Sequence, residues 1–266
     1  MPSRKWDTGS NLFSLTSDDS ALQRFMIPEK LSRSLRARGV VGTVRYGTAS
    51  IKAMGRWYLD SIYDWRHRVD TSGKIQIADL SVKSENASAA TWYEPVPNSC
   101  IRQLLRDLPI AFEQYDFIDV GSGKGRALFL AAECSFRKVV GVEFSPDLHA
   151  IALKNISSYW SRRRRCLQIE SICQDAVEFD LPPVPSVLFF YSPFNAAVLS
   201  RILARVRESL VRSPRSLYIL FVGVMPELIE ALKTAGMDCR EVRLRRDYLR
   251  GEIKRGFVLH YPGTSS

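Results

Sequence analysis

Three acidic residues and one glycine-rich turn are the residues of this sequence whose types and spacing could form a ligand site. Asp119 lies in the apolar run 117–120, which leads directly into Gly-Ser-Gly-Lys-Gly at 121–125. An apolar run, a glycine turn and then the apolar segment 127–132 predict a strand, a tight turn and a helix. Because glycine has no Cβ and can adopt positive φ, the backbone of this turn can approach a ligand closely.

The spacing of the acidic residues indicates a nucleoside. A second apolar run, 139–142, ends in Glu143, which follows Asp119 by 24 residues (143 − 119 = 24). An acid at this position can accept hydrogen bonds from ribose hydroxyls, as in other nucleoside-binding α/β folds. Asp175 follows the segment 171–174 and could accept a hydrogen bond from an adenine amino group.

The residue after the turn separates two kinds of nucleoside ligand. Dinucleotide sites use Gly-x-Gly-x-x-Gly, whereas Arg126 stands here at the third glycine position. Asp119 would repel a diphosphate, but it suits the ammonium and sulfonium groups of S-adenosylmethionine. These residues favour a methyl donor. A dinucleotide-dependent oxidoreductase, and a non-catalytic Rossmann-like protein that binds a nucleotide or nucleic acid, stay open as alternatives.

The sequence resembles the class I S-adenosylmethionine-dependent methyltransferases over about residues 88–262. Within them it is most similar to the branch of the non-SET histone lysine methyltransferases (disruptor of telomeric silencing) and their uncharacterised bacterial relatives. Two departures are Val96, where relatives usually have threonine, and Ser192, where asparagine is common. The matching segments are 93–95 (Tyr-Glu-Pro), 119–125, 141–146 (Gly-Val-Glu-Phe-Ser-Pro) and 191–194 (Tyr-Ser-Pro-Phe).

The resemblance implies methyl transfer from S-adenosylmethionine to an amine nitrogen, with a protein lysine as the expected acceptor. Methylation of nucleic acid or of a small molecule is the alternative, and no metal is expected. Tyr191 and Ser192 would face the transferred methyl group, and Phe194 would form a wall. The catalytic candidates are Tyr191, Ser192, Pro193 and Phe194. The cofactor-binding candidates are Tyr93, Glu94, Asp119, Gly121, Ser122, Gly123, Gly125, Glu143, Phe144, Asp175 and Ala176.

The elements that must position these residues alternate between strand and helix. After a helix at 97–108 and the strand that contains Asp119, the apolar patterns predict a βαβ succession that ends in a hairpin-like antiparallel pair. The fold class is therefore α/β, a Rossmann-like seven-stranded and mostly parallel sheet with helices on both faces. The predicted segments are helices at 125–134, 146–160, 195–211 and 226–235, and strands at 138–143, 167–173, 187–190, 216–224, 239–245 and 255–261.

The N-terminal part is predicted to be an added helical segment. We assign 1–87 to a helical extension and connector, and 88–266 to the methyltransferase domain. The connector before Tyr93 is expected to fold over the donor and to exclude water. Helical spacing predicts that one aromatic face of the extension packs on the main domain rather than offering a platform for nucleic-acid bases. The residues of this face are Met54, Trp57, Tyr58, Ile62 and Trp65.

Charge is distributed unevenly along the chain, whose formal net charge is +10. Residues 1–69 carry 12 Lys/Arg and 6 Asp/Glu, and residues 201–266 carry 13 and 7, so each flank is +6. These flanks could attract nucleic acid, an acidic protein or an anionic membrane surface, although solvated surfaces are the simpler interpretation. The arginines at 162–165 are likewise interpreted as a solvated loop at a helix C-terminus.

Composition excludes several other classes of protein. Five cysteines without a Cys-x-x-Cys pair indicate a reducing compartment and no zinc site. Three dispersed histidines without a nucleophile motif do not indicate a hydrolase triad. No secretory signal and no spanning run of apolar residues is apparent, so a cytoplasmic location is expected.

Overall fold

The computed structural model describes residues 29–76, 80–81, 92–191, 196–223, 238–244 and 255–263. The chain divides into two compact units, 1–51 and 52–266. The boundary predicted between residues 87 and 88 lies inside the second unit and stays a prediction.

A seven-stranded sheet forms the centre of the second unit. Its strands are β3 (Asp116–Val120), β4 (Lys138–Glu143), β5 (Ile169–Cys173), β6 (Ser186–Tyr191), β7 (Leu217–Val222), β8 (Asp238–Arg243) and β9 (Arg255–Tyr261). Their order across the sheet is β5-β4-β3-β6-β7-β9-β8; the first five are parallel, and β9 runs antiparallel to both of its neighbours. The predicted fold class is confirmed, including the antiparallel pair at the end. A separate antiparallel pair joins β1 (Ile75–Gln76) to β2 (Trp92–Tyr93).

Helices cover both faces of the sheet, as the βαβ pattern requires. The α-helices of the described residues are α1 (Glu29–His67), α2 (Asn98–Arg106), α3 (Arg126–Ala131), α4 (Pro146–Ser158) and α5 (Ala196–Arg212). Ser145 caps α4, and Pro146 follows at its first position, because a proline there loses no helical hydrogen bond. The helix predicted at 226–235 lies outside the described residues.

The central strands bring the carboxyl ends of β3 and β4 together. All five residues of β3 are buried, and Asp119 of β3 lies opposite Gly141 of β4. The chain adds β4 and then β5 on one side of β3, and it then crosses to β6 on the other side. Ligands of open α/β sheets bind at such a reversal of strand order, outside the carboxyl ends of the strands. The predicted site residues of β3 and β4 therefore lie where a ligand is expected.

Helix α5 packs as its apolar spacing predicts. Val198, Ile202, Val206 and Leu210 are buried in one of the two hydrophobic clusters of the core. Arg201 on the opposite side of this helix is exposed. A continuous apolar stripe was therefore sufficient to orient α5.

The prediction for the aromatic face of α1 is wrong. Met54, Tyr58 and Trp65 are 71%, 62% and 83% exposed, and Trp57 and Ile62 are exposed as well. Tyr63, Asp64 and His67 on the other side of the helix are buried instead. The reason is that this side supplies acceptors to a buried arginine of the main domain, a requirement that apolar spacing does not reveal.

Candidate functional site

The glycine turn has the backbone geometry that its sequence predicts. Gly121, Gly123 and Gly125 all have positive φ, at 82°, 54° and 92°. The N–H groups of Gly121 and Ser122 donate to the carbonyl of Val142 at 2.9 and 3.1 Å, which fastens the turn to β4. The turn therefore connects β3 to α3 beside the end of the neighbouring strand.

Two buried carboxylates flank this turn. Glu143 is 2% exposed; its Oε2 accepts a hydrogen bond from the Gly123 N–H at 2.7 Å, and its Oε1 accepts one from the Ser145 N–H at 2.9 Å. Asp119 is 4% exposed, and its carboxylate has no hydrogen-bond or ion-pair partner within the described part of the chain. Two acids are thus held close to each other, and no cation of the described residues is paired with either carboxylate.

The pKa values of both acids reflect this arrangement. Burial, reinforced by the nearby Glu143, raises the pKa of Asp119 to about 8. Burial raises the pKa of Glu143 to about 7, although its backbone hydrogen bonds lower it. A cation that bound here would favour the ionised forms and lower both pKa values.

A pocket opens beside the turn, between the ends of β3, β4 and β5. Asp175 lies on its rim, where its Oδ1 accepts a hydrogen bond from the N–H of Val177 at 2.9 Å. Four predicted cofactor-binding residues meet in this pocket. The residues that line it are Gly121, Val142, Phe144, Gln174, Asp175, Ala176 and Val198.

Ser122 has an unused polar group at the same place. Its hydroxyl oxygen is buried and has no hydrogen-bond partner among the described residues. Buried polar atoms normally find a partner, so this orphan hydroxyl within the glycine turn, which lies against Gly141, is consistent with a polar ligand at the turn. Together with the two carboxylates, it gives the turn the chemistry that a nucleoside with a cationic substituent requires.

Tyr93 covers the turn from the side. A Cβ on Gly123 would collide with the Tyr93 ring, so the absence of a side chain at Gly123 makes room for this ring. The Tyr93 hydroxyl donates to the carbonyl of Thr71 at 2.6 Å. The neighbouring Glu94 forms an ion pair with Lys74 at 3.0 Å. The role of Tyr93 and Glu94 in cofactor binding stays a prediction.

The catalytic candidates are described only in part. Tyr191 ends β6 and is half-buried against the hydrophobic core. Ser192, Pro193 and Phe194 lie outside the described residues. Their assignment, like that of the whole predicted site, stays a prediction.

Arg126 is the residue that sequence reasoning missed. It is 1% exposed, and its guanidinium lies 4.1 Å from the centre of the Tyr63 ring. The signal was present in the sequence: a lone arginine in an apolar helix start, and two aspartates at i and i+4 in α1. Its hydrogen-bond acceptors are Asp60 Oδ1 at 3.1 Å, Asn98 Oδ1 at 3.0 Å, Asp64 Oδ1 at 3.2 Å and Thr71 Oγ1.

The segment after α1 is fixed by the same group of contacts. Asp64 Oδ2 accepts hydrogen bonds from the N–H groups of Thr71 and Ser72 at 2.8 and 2.7 Å. Lys124, inside the glycine turn, donates to Asp70 Oδ1 and to the Ser72 carbonyl, both at 3.0 Å. The C-terminal part of α1 and the turn that follows it are therefore attached directly to the candidate ligand site.

The described residues show neither a metal-binding group nor a membrane-spanning helix. No group of His, Cys, Asp or Glu side chains that could hold a metal ion occurs among the described residues. Within the same residues, none of the helices combines the length and apolar character needed to span a bilayer.

Comparisons with known proteins give likeness of fold only. Neither a model of a protein family nor a curated protein matches the sequence. Similar solved structures include a putative RNA methyltransferase from Pyrococcus horikoshii (14% identity, TM-score 0.46, 71% of this chain and 96% of that one). Others are the glycopeptide N-methyltransferase MtfA with S-adenosylmethionine (13%, 0.47, 64% and 96%) and an RNA methyltransferase from Salinibacter ruber with S-adenosylhomocysteine (19%, 0.41, 65% and 96%). TM-scores below 0.5 say nothing about the reaction or substrate of this chain.

Proposed function

We propose that this chain is an S-adenosylmethionine-dependent methyltransferase. The observation that carries the proposal is the pair of buried acids, Asp119 and Glu143, at adjacent strand ends beside a glycine turn and a small pocket. Burying two carboxylates without a cation is costly, and such unfavourable arrangements concentrate at functional sites. A ligand that carries both a positive charge and a nucleoside satisfies these groups, whereas a diphosphate would not.

Each part of the site has a role in this proposal. Asp119 would face the ammonium group of the donor, and the open backbone at Gly121 would allow its close approach. Glu143 retains acceptor capacity for a ribose hydroxyl, since its two oxygens offer about four lone-pair sites and receive backbone hydrogen bonds from Gly123, Phe144 and Ser145. Asp175 would accept from the adenine amino group, with Phe144 in contact with the ring. When bound, S-adenosylmethionine supplies an electrophilic methyl group attached to a sulfonium.

Calorimetric titration of the full chain with S-adenosylhomocysteine, and separately with NAD, tests donor binding. We expect binding of S-adenosylhomocysteine alone. Glu143→Ala should weaken it by about 1.5–3 kcal/mol, the contribution of a hydrogen bond to a charged group. Because Glu143 also binds two backbone N–H groups, Glu143→Gln, which removes the charge but preserves the shape, should be compared.

A matched control for this titration is available on the next strand. Glu170 of β5 is partly exposed and pairs with Lys138 rather than with the glycine turn. Glu170→Ala should leave the affinity for S-adenosylhomocysteine unchanged. Binding of NAD in place of S-adenosylhomocysteine, or an unaltered affinity in a folded Glu143→Ala protein, would contradict the assignment.

We further propose that the acceptor is an amine nitrogen, with a protein lysine as the first candidate. Activation of a hydroxyl calls for a strong base, and the three histidines are engaged away from the end of β6. His67 bonds to Trp160, His149 contacts Ser171, and His260 stacks on Tyr218. An amine needs only to lose one proton, which desolvation in a closed pocket favours. The lysine part rests on the sequence resemblance.

Transfer of a labelled methyl group to a protein extract tests this acceptor. We expect label on protein, and its loss when the lysines of the extract have first been reductively methylated. Label that persists on the blocked protein would refute lysine. Label on RNA or on small molecules alone would instead support the alternative acceptors, of which nucleic acid is favoured by the basic flanks of the chain.

A further inference from the structure

We propose that the outward side of α1, together with the arginine loop that adjoins its end, binds the surface of a membrane that contains anionic lipids. This goes beyond methyl transfer and concerns where the enzyme is held. The surface belongs entirely to the second compact unit. We name its two parts the apolar face (Met54, Tyr58, Leu59, Ile62 and Trp65) and the basic loop (Arg162, Arg163, Arg164 and Arg165).

The apolar face is large and lies opposite the packed side of the helix. Met54, Tyr58, Ile62 and Trp65 follow each other at intervals of four, four and three residues, which places them on one side of α1. They range from 39% to 83% exposed, and Leu59 beside them is 56% exposed. Soluble surfaces rarely present so many large apolar side chains together without a partner.

Negative charge has been removed from this surface by the internal contacts of α1. Residues 52–69 contain four Lys/Arg and only two acids, Asp60 and Asp64. Both acids bind Arg126 on the packed side of the helix. Arg66 and Arg68 at the end of α1 are exposed. Among the side chains of residues 54–68 that the structure describes, the exposed ones are therefore apolar or cationic.

The basic loop extends the positive charge beyond the end of α1. The N–H of Trp160 donates to the His67 carbonyl at 3.1 Å, and the Ser158 hydroxyl donates to the Arg68 carbonyl at 2.7 Å. The Arg68 guanidinium lies 5.9 Å from the centre of the Trp160 ring. The segment 158–168 contains four arginines and no acid. Arg162, Arg163 and Arg165 are exposed, as the interpretation of a solvated loop expects, and Arg163 lies 3.8 Å from Glu133.

This combination fits a lipid surface better than other occupants. Helices that lie in a membrane interface bury an apolar side rich in aromatic and aliphatic residues, with Lys and Arg at its border, and Trp and Tyr favour that depth. Nucleic acid would stack on the aromatic rings but would leave Met54, Leu59 and Ile62 in water. A second copy of this chain could cover the apolar face but offers the basic loop no dedicated anionic partner, whereas an anionic membrane satisfies both parts at once.

Flotation of the full chain with lipid vesicles tests the proposal. We expect binding to vesicles of phosphatidylcholine and phosphatidylglycerol in equal amounts, and much weaker binding to phosphatidylcholine alone. The triple variant Tyr58→Ser, Ile62→Ser, Trp65→Ser should lose about tenfold or more of its binding, because the inserted apolar area is removed. Arg162→Gln with Arg165→Gln should lose on the order of tenfold, since each arginine contributes about fivefold near an anionic surface.

A matched control lies on α5, where Val211 and Arg207 are also exposed. Val211→Ser with Arg207→Gln should bind vesicles as the parent chain does, and circular dichroism should show every variant folded. No binding of the parent chain to the mixed vesicles would overturn the proposal. So would binding of single-stranded RNA in preference to vesicles, or a dimer in light scattering that the triple variant converts to monomer.

The vesicle-binding experiment can fail without any failure of the proposed methyltransferase function, because the two surfaces lie apart. Helix α4, of 13 residues, begins next to Glu143 and ends just before the basic loop, so about 20 Å separate this loop from the donor site. All the variants should therefore retain the affinity of the parent chain for S-adenosylhomocysteine, whatever they do to vesicle binding.

Discussion

Helices α1 and α5 attach to the second unit of this protein by opposite means. Helix α5 buries an apolar stripe that includes Val198, Ile202 and Val206, all at most 5% exposed. The C-terminal half of α1 turns most of its large apolar residues outward, buries Tyr63, and holds the domain with Asp60 and Asp64. One interface is formed by apolar area and the other by a buried ionic network.

The difference shows what each interface can contribute. Apolar burial is nondirectional and stabilises roughly in proportion to area. A buried ion pair gains little net stability, because desolvation offsets attraction, but it tolerates only one arrangement of its donors and acceptors. The network around Arg126 therefore specifies where the segment 60–72 lies relative to the glycine turn. Helix α5 supplies core stability through apolar area, and its Val198 lines the pocket beside that turn.

The largest expected effect comes from Arg126→Met. Removing the guanidinium leaves Asp60 and Asp64 beside an apolar side chain, and loss of one partner from a buried pair costs about 3–5 kcal/mol. Urea unfolding should register this as a fall in the free energy of unfolding. Arg126→Lys keeps the positive charge but not the planar guanidinium, so its free energy of unfolding should lie between those of the parent chain and of Arg126→Met.

An exposed ion pair on α5 is the control for that experiment. Arg205 Nη2 lies 2.6 Å from Asp180 Oδ1, closer than Arg126 to either of its aspartates, but the Asp180 side chain is 75% exposed. Asp180→Asn should cost less than about 1 kcal/mol because water screens the pair. Equal costs for Arg126→Met and Asp180→Asn would contradict the buried-network interpretation.

A smaller effect is expected from Ile202→Val in the apolar interface. Removal of one buried methyl group there should cost about 1 kcal/mol. The same urea unfolding measures this cost. Ile202→Val should not change the affinity for S-adenosylhomocysteine, whereas Arg126→Met should weaken that affinity because it displaces the turn. If Ile202→Val cost as much as Arg126→Met, the two interfaces would not differ in kind.

Much of the fold could be predicted from local patterns in the sequence. The βαβ alternation, the antiparallel end of the sheet and the glycine turn each depend on residues close together in the chain, such as the apolar run that ends in Glu143 or Ser145 followed by Pro146. The convergence of Gly121, Phe144 and Asp175 on one pocket followed from the rule that parallel strands share their carboxyl edge.

The sequence by itself thus determined the sheet, the order of its elements and the acids at its carboxyl edge, because periodicity and turn chemistry act over short distances. Only the tertiary structure decided which side of α1 faces inward and that the Tyr93 ring lies against Gly123. Both outcomes depend on a buried group that meets residues about 30 to 66 positions away. A buried charge outweighs the tendency of apolar residues to pack, since its desolvation must be compensated by specific partners.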